Sequence, residues 1–254
     1  MNIGWGQRRQ LIVIAIFSLL GIAILATIAI AIFYRTPTCT DQKQNQDETG
    51  IDCGGPCSKA CIADVRPASV SFARAIAPDV NRTDVIAYVE NPNENAVARG
   101  VRAVVELYGA DYVLLAKREV VFDLPGAATT PVFVEGLLSG NQAVAQTFFT
   151  VDQASIEWTR TTTQPVVPGV RDIVWQGGSQ PRVSATLINP IAEPFSNVRL
   201  IATVFDSNDQ AIAASRTVVA ILPAQGTAPM VFTWNVPFAS TPARVEVIPL
   251  IQVP

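Results

Sequence analysis

The feature that most limits how this chain can fold is an uncharged run of 24 residues near the amino terminus, residues 11–34. Its only clearly polar members are Ser18 and Thr27. As a helix rising 1.5 Å per residue the run would be about 36 Å long, enough to cross a ~30 Å hydrocarbon core. The sequence therefore predicts one transmembrane helix at residues 11–34, with the lipid bilayer as its partner.

The flanking charges predict how this helix is oriented. Arg8 and Arg9 precede it, whereas Arg35 and then several acidic residues follow it. Since cytoplasmic flanks are richer in Lys and Arg, residues 1–10 are predicted to be a cytoplasmic tail and the rest of the chain to lie outside the cell membrane. Two alternatives remain: a signal peptide cleaved near residues 29–31, and a twin-arginine signal at Arg8-Arg9.

The charge and the absence of one residue type exclude several functional classes. The formal net charge is −3, and no Lys or Arg run follows the helix, so a nucleic-acid role is not expected. The chain has no histidine. This excludes a Ser-His-Asp triad, a Cys-His dyad and any zinc site that uses histidine. Carboxylate-pair or Ser-Lys catalysis stays open in principle, but no residues suggest it, and the protein is predicted not to be an enzyme.

All cysteines fall in one segment after the helix, residues 35–64, which is predicted to be a Cys-rich stalk. They are Cys39, Cys53, Cys57 and Cys61. An even, clustered set in an oxidising compartment favours two disulfides, whose pairing the spacing leaves open. Such staples would replace a core, because Ile51 is the only large aliphatic residue between Thr36 and Cys61. Zinc held by the four thiolates is the alternative.

The same segment carries oxygen ligands at close spacing: Asp41, Asn45, Asp47, Glu48 and Asp52. Carboxylate and amide oxygens followed by glycines suit a calcium loop, although the spacing is not that of an EF-hand. The alternative is a polar, solvated loop tethered by the disulfides. Apart from this candidate calcium ion, no cofactor is predicted.

The string CTDQKQNQDETGIDCGGPCSKAC resembles a short module of bacterial and archaeal surface proteins, with the form C-x-D-x3-N-x2-E-x3-D-C-G-G. The matching residues are Cys39, Asp41, Asn45, Glu48, Asp52, Cys53, Gly54 and Gly55. The resemblance covers about 23 residues and implies an extracytoplasmic location.

Beyond the stalk the chain repeats itself. Residues 116–131 align without gaps on residues 214–229, and eight of the sixteen positions are identical. The same offset of 98 pairs Asn91-Pro92 with Asn189-Pro190. Two copies of one domain are therefore predicted, at residues 65–160 and 169–254.

Each copy has the pattern of an antiparallel sandwich, in which alternate residues of a strand face the core. Val85, Ala87 and Val89 alternate in the first copy, as do Val183, Ala185 and Leu187 in the second. In both copies an Asn-Pro pair then ends the strand. A Thr- and Pro-rich segment, residues 161–168, is predicted to be a stiff linker that holds the two sandwiches end to end.

The segments Val105-Glu106-Leu107-Tyr108-Gly109 and Ala202-Thr203-Val204-Phe205-Asp206 lie where the FxLYD-type domain carries its signature. Residues 65–254 resemble this immunoglobulin-like domain of exported bacterial and archaeal proteins, which has no established catalytic residues. The predicted fold class is all-β, with two tandem immunoglobulin-like antiparallel β-sandwiches behind one N-terminal transmembrane helix.

The predicted function follows from this layout. A membrane-anchored extracytoplasmic structural or interaction protein of the cell envelope, with a protein partner there, is the first hypothesis. A glycan- or calcium-binding surface module is the alternative. Trp158, Trp175 and Trp234 could stack on sugars, but sandwich tryptophans are more often in the core, and that is what we expect here.

Overall fold

A computed structural model describes residues 5–33, 38–45, 47–79, 81–163, 165–250 and 253. The chain divides into two compact units, residues 1–55 and residues 56–254. Each is described by itself.

The first unit contains one long helix, α1 (Trp5–Phe33), of 29 residues. Residues 8–30 are apolar enough to span a membrane, and no part of this stretch is buried against protein. The Thr27 hydroxyl donates to main-chain carbonyls of the preceding turn, Ala23 at 3.0 Å and Ile24 at 2.8 Å, so its polar group is satisfied within the helix. The last residue of the predicted span, Tyr34, and Arg35 lie outside the described residues.

The second unit begins with a seven-stranded sandwich. Its strands are β1 (Ser69–Asp79), β2 (Arg82–Asn91), β3 (Ala96–Tyr108), β4 (Leu114–Leu124), β5 (Ala128–Ser139), β6 (Gln146–Val151) and β7 (Trp158–Arg160). One sheet has the order β1-β2-β5 and the other β4-β3-β6, with β7 paired to the start of β3. All pairings are antiparallel.

A second sandwich follows with the same order of strands. It consists of β8 (Gly169–Gln176), β9 (Arg182–Ile188), β10 (Phe195–Phe205), β11 (Ala211–Leu222), β12 (Thr227–Thr233) and β13 (Arg244–Leu250). Its sheets run β8-β9-β12 and β11-β10-β13. The two copies are thus topologically equivalent, and the predicted all-β class, antiparallel sandwiches behind one N-terminal helix, is confirmed.

The alternating residues lie where their spacing predicted. Val85, Ala87 and Val89 are fully buried between the sheets of the first sandwich, and Val183 and Leu187 are fully buried in the second. Side chains of successive strand residues point to opposite faces, so each strand gives one row to its core.

Each copy has one hydrogen-bonded corner, formed by its Asn-Pro pair and by a repeated Leu-Pro pair, Leu124-Pro125 in the first copy and Leu222-Pro223 in the second. The buried Asn91 amide donates to the carbonyls of Ala96 and Pro125, both at 2.8 Å. In the second copy the Asn189 amide donates to the carbonyls of Glu193 at 2.7 Å and Pro223 at 2.9 Å. The asparagine therefore joins the turn that follows its own strand to the turn before the strand beside it.

The prediction of an end-to-end arrangement is wrong, because the two sandwiches pack face to face. The outer side of the β1-β2-β5 sheet lies against the outer side of the β11-β10-β13 sheet, and the shared cluster contains Ile86, Tyr88, Ile201 and Phe205. Phe205 meets Tyr88 edge-on at a centroid distance of 6.1 Å. We call this contact the inter-sandwich interface. The predicted linker therefore joins two sandwiches that are in direct contact, and it does not hold them apart.

The stalk predicted at residues 35–64 is not one independent element. Residues from 56 onward belong to the second unit, and the segment around Lys59 pairs with β7. The Ala60 amide donates to the Trp158 carbonyl at 2.9 Å, and the Arg160 amide donates to the Ser58 carbonyl at 2.6 Å. Ala60 is buried in the first core. The last part of the predicted stalk, from residue 56 onward, is therefore an added edge of the first sandwich.

Candidate functional site

The cysteines form disulfides, as predicted. Cys39, Cys53, Cys57 and Cys61 are all disulfide-bonded, and no described cysteine is a free thiol. The alternative of zinc held by four thiolates is therefore wrong, since oxidised sulfur cannot act as a thiolate ligand.

The predicted calcium ligands lie in the loop of residues 38–55, where several accept hydrogen bonds from the loop backbone. The Asp52 carboxylate accepts from the amides of Asp41 at 2.9 Å and Gln42 at 2.9 Å. The buried Glu48 carboxylate accepts from the amides of Asn45 at 3.2 Å and Asp52 at 3.3 Å. These carboxylate oxygens thus accept hydrogen bonds from main-chain N–H groups, and the carboxylates stabilise the conformation of the loop.

Two of the other predicted ligands interact with each other, and the fifth is exposed. The Asn45 side-chain amide donates to Asp41 at 2.9 Å, while the Asn45 side-chain oxygen is enclosed without a hydrogen-bond partner. Asp47 is exposed. Calcium binding by Asp41, Asn45, Asp47, Glu48 and Asp52 stays a prediction.

The paired glycines of the module are required by close backbone approach. Both have positive φ, +73° at Gly54 and +51° at Gly55. A Cβ at Gly54 would lie 1.9 Å from the Thr49 hydroxyl oxygen, and a Cβ at Gly55 would lie 2.2 Å from the Asp47 carbonyl oxygen. Only glycine fits such a position without moving the loop.

The tryptophans do not form a sugar-binding face. Trp158 and Trp234 are buried in the two cores, and the Trp234 indole donates to the Ala214 carbonyl at 3.1 Å. Trp175 is 41% exposed but lies on a different strand, β8. The expectation of core tryptophans therefore holds for two of the three.

The aromatic surface lies elsewhere, on the outer side of the β4-β3-β6 sheet. A hollow of about 350 Å³ opens there, and its lining is Glu106, Tyr108, Tyr112, Gln146, Phe148 and Thr150. We call this surface the open face. Phe148 and Tyr112 are 49% and 73% exposed, and Phe148 meets Tyr108 edge-on at a centroid distance of 5.7 Å. Sequence reasoning missed this cluster, although Glu106 and Tyr108 are alternate residues of one strand and must share a face.

An ion pair crosses the open face beside the rings. The Lys117 ammonium lies 2.9 Å from a Glu106 carboxylate oxygen. The hydrogen bond from Lys117 to Glu106 raises the pKa of the ammonium. The paired charges leave the hollow close to neutral, with the other Glu106 oxygen 3.4 Å from the Tyr108 hydroxyl.

A buried carboxyl group lies at the edge of the inter-sandwich interface. The Asp84 side chain has no exposed area and lies 3.1 Å from the Arg82 guanidinium. It also accepts from the Gly136 amide at 2.7 Å. Burial raises the pKa of Asp84, while Gly136 and Arg82 act in the opposite direction. Its partners are structural, at a bulge where β2 pairs with β5.

Comparison with known proteins supplies no family. No protein-family model matches this chain, and no curated protein matches it. Among solved structures, red sea bream transglutaminase aligns with 74% of this chain and 32% of its own, at 10% identity and a TM-score of 0.27. A family 2 glycoside hydrolase, a β-glucuronidase, aligns with 87% of this chain and 26% of its own, at 12% identity and a TM-score of 0.19. The chain thus spans about a third or less of either structure.

Proposed function

We propose that this protein is a single-pass membrane-anchored, non-enzymatic interaction or structural protein of the cell envelope, with its sandwiches outside the cytoplasm. The observation that carries the proposal is the combination of two fused sandwiches in one compact unit with a long apolar helix left uncovered by protein. Such a layout suits a module that is held at a membrane and presents a rigid surface to a partner.

The helix supports membrane insertion at both its middle and its start. A helix that is apolar all round and unburied is unstable in water but stable in lipid. At its start, the Arg9 guanidinium lies 5.2 Å from the centre of the Trp5 ring. An arginine beside a tryptophan suits the headgroup region of a cytoplasmic leaflet.

The disulfides support an extracytoplasmic location. Reducing buffers in the cytosol keep most thiols free, whereas exported proteins retain disulfides. All four cysteines of this chain are oxidised and follow the helix in sequence. The predicted topology places them on the side where oxidised sulfur persists.

The titratable groups support a non-enzymatic role. The chain has no histidine, and the one buried carboxyl group with a raised pKa among the described residues, Asp84, is bonded to Arg82 and Gly136. A catalytic carboxyl group would face a cleft with room for a substrate. Asp84 instead stabilises a strand irregularity beside the inter-sandwich interface.

The test is a topology measurement on the full chain with a different epitope tag at each end. We expect alkaline extraction to leave the protein in the membrane, and external protease to remove the C-terminal tag but not the N-terminal one. A matched chain without residues 5–33 should be extracted. Protection of the C-terminal tag, or extraction of the intact chain, would contradict the anchored arrangement.

The interaction role needs its own test. Photocrosslinking residues placed on exposed positions of the sandwiches should capture envelope components in intact cells, and the same positions in the anchor-free chain should not. A chain that captures nothing from any position, together with normal envelope structure in cells lacking it, would contradict this role.

A further inference from the structure

The internal repeat provides a comparison for the open face. Tyr108 ends β3 as Phe205 ends β10, and each is the last position paired with the neighbouring strand of its sheet. Phe205 is only 2% exposed, because the first sandwich covers it. The equivalent side of the first sandwich, around Tyr108, is not covered by any other described part of the second unit.

The two equivalent faces also differ in chemistry. We call the outer side of the β11-β10-β13 sheet, which the first sandwich covers, the covered face. In the covered face Thr203 pairs with Glu246 on the neighbouring strand. At the equivalent position of the open face Glu106 pairs with Phe148. The covered face is mostly aliphatic and aromatic at its centre. The open face instead alternates exposed rings with a carboxylate, an amide and a hydroxyl group. It is therefore not simply a second hydrophobic interface that lacks its partner.

Size also argues for a small ligand. Over the six positions at which β6 pairs with β3, three strands about 4.8 Å apart offer roughly 300 Å². A stable protein interface buries about 800 Å² on each partner. The inter-sandwich interface can be this small because the linker tethers the two sandwiches and makes their contact intramolecular. A separate protein partner has no such tether. The hollow of about 350 Å³ falls in the range of sites for small molecules, about 300–1,000 Å³.

We propose that the open face binds a neutral glycan. A sugar ring is flat and apolar on its faces and carries hydroxyl groups around its edge. Phe148 and Tyr112 provide exposed rings for the faces, whereas Glu106 and Gln146 provide hydrogen-bonding groups for the hydroxyls. The Lys117–Glu106 ion pair balances the charge, so the site favours neutral sugars over acidic ones. The inference rests on the proposed extracytoplasmic location only for access to such glycans.

The experiment measures binding to the full chain in lipid nanodiscs prepared without sugar-headgroup detergents. The probes are cellotetraose, chitotetraose, maltotetraose and mannotetraose, and the readouts are saturation-transfer NMR and calorimetric titration. At least one probe should bind, with saturation transferred from aromatic protons. Phe148→Ala and Tyr112→Ala should each weaken binding by about tenfold, equivalent to about 1.4 kcal/mol.

Matched variants separate this site from other surfaces. Trp175→Ala removes a comparably exposed ring from the second sandwich, and Val113→Ala alters the neighbour of Tyr112; neither should change affinity. Tyr112 is 73% exposed, so its variant should keep the wild-type unfolding temperature even if the Phe148 variant does not. Glu106→Gln should weaken binding less than loss of a ring does, because the amide still accepts hydrogen bonds.

Three results would overturn the proposal. One is the absence of binding to all four probes, and another is equal weakening by Trp175→Ala. The third is concentration-dependent self-association that Phe148→Ala abolishes, which would make the open face a contact between copies of this chain. None of these results would alter the outcome of the topology measurement, so failure here is distinguishable from failure of the proposed function.

Discussion

Replacing the corner asparagine of either sandwich tests whether the repeated Asn-Pro and Leu-Pro pairs stabilise the fold as one unit. Asn91 is 2% exposed, and its amide donates to the carbonyls of Ala96 and Pro125. Its side-chain oxygen accepts from the Asn93 amide at 3.0 Å. Alanine at this position removes these hydrogen bonds and leaves both carbonyls without their donor.

The expected cost follows from these contacts. A buried hydrogen bond contributes about 0.5–1.5 kcal/mol, and a buried group left unpaired costs about 1–3 kcal/mol. Asn91→Ala should therefore lower the free energy of unfolding by about 3 kcal/mol. For a unit of about 200 residues each kcal/mol moves Tm by about 2–4 °C, so Tm should fall by roughly 6–12 °C. Asn189→Ala should cost nearly the same, since its amide makes the equivalent pair of bonds.

Thermal unfolding of the full chain in nanodiscs, followed by tryptophan fluorescence, measures these shifts. Asn141→Ala is the matched control, because Asn141 is an exposed loop residue and its loss should leave Tm unchanged. The two corners lie in separate sandwiches, so the double variant should show the sum of the single effects. A Tm within 2 °C of wild type for both single variants would refute the argument that the corner is a structural unit.

Three further predictions concern other parts of the chain. Phe205→Ala should lower the free energy of unfolding by about 3–5 kcal/mol, because Phe205 fills the inter-sandwich interface. It should also split one calorimetric unfolding transition into two. A single transition in the variant would count against this prediction. Burial raises the pKa of Asp84 above its ordinary value of 3.8, so the folded state binds this proton more readily and the contribution of Asp84 to stability grows as the pH falls toward 3.8. Urea unfolding measured between pH 7 and 4 should show that the free energy of unfolding of wild type rises relative to that of Asp84→Asn as the pH falls. Parallel pH dependences of the two proteins would disprove this prediction. Gly55→Ala should leave reactive thiols in the purified protein, because its Cβ would overlap the Asp47 carbonyl; a thiol assay that finds none, as in wild type, would contradict the steric argument.

The fold was largely predictable because its signals are local. An uncharged run, a repeat at a fixed offset and the alternation of Val85, Ala87 and Val89 each define one element or one buried row. The lateral packing was not predicted, because it depends on residues far apart in sequence. A Pro-containing linker predicts stiffness, but it does not show which sheet faces its ends allow to meet.

The candidate sites were harder to predict, because the same residue types serve several purposes. The acidic residues of the loop looked like cation ligands, yet Asp52 and Glu48 accept hydrogen bonds from main-chain amides. The tryptophans were candidates for stacking on sugars because their rings are large, yet two of them are buried in the cores. Tyr112 gave no signal in the sequence, since only the turn between β3 and β4 brings it to the open face.

The outward rows of four strands explain why equivalent faces differ. In β2 the outward residues Ile86 and Tyr88 are large aliphatic or aromatic side chains, as are Ile201 and Phe205 in β10, and both sides of these strands are covered. In β3 and β9 the outward rows contain polar residues, among them Glu106. Two predominantly apolar runs, VIAYV and LIATVF, in which Thr203 is the one clearly polar residue, thus indicate which faces of the repeat meet. The repeat accounts for the fold, and the differences between its copies account for the face that stays exposed.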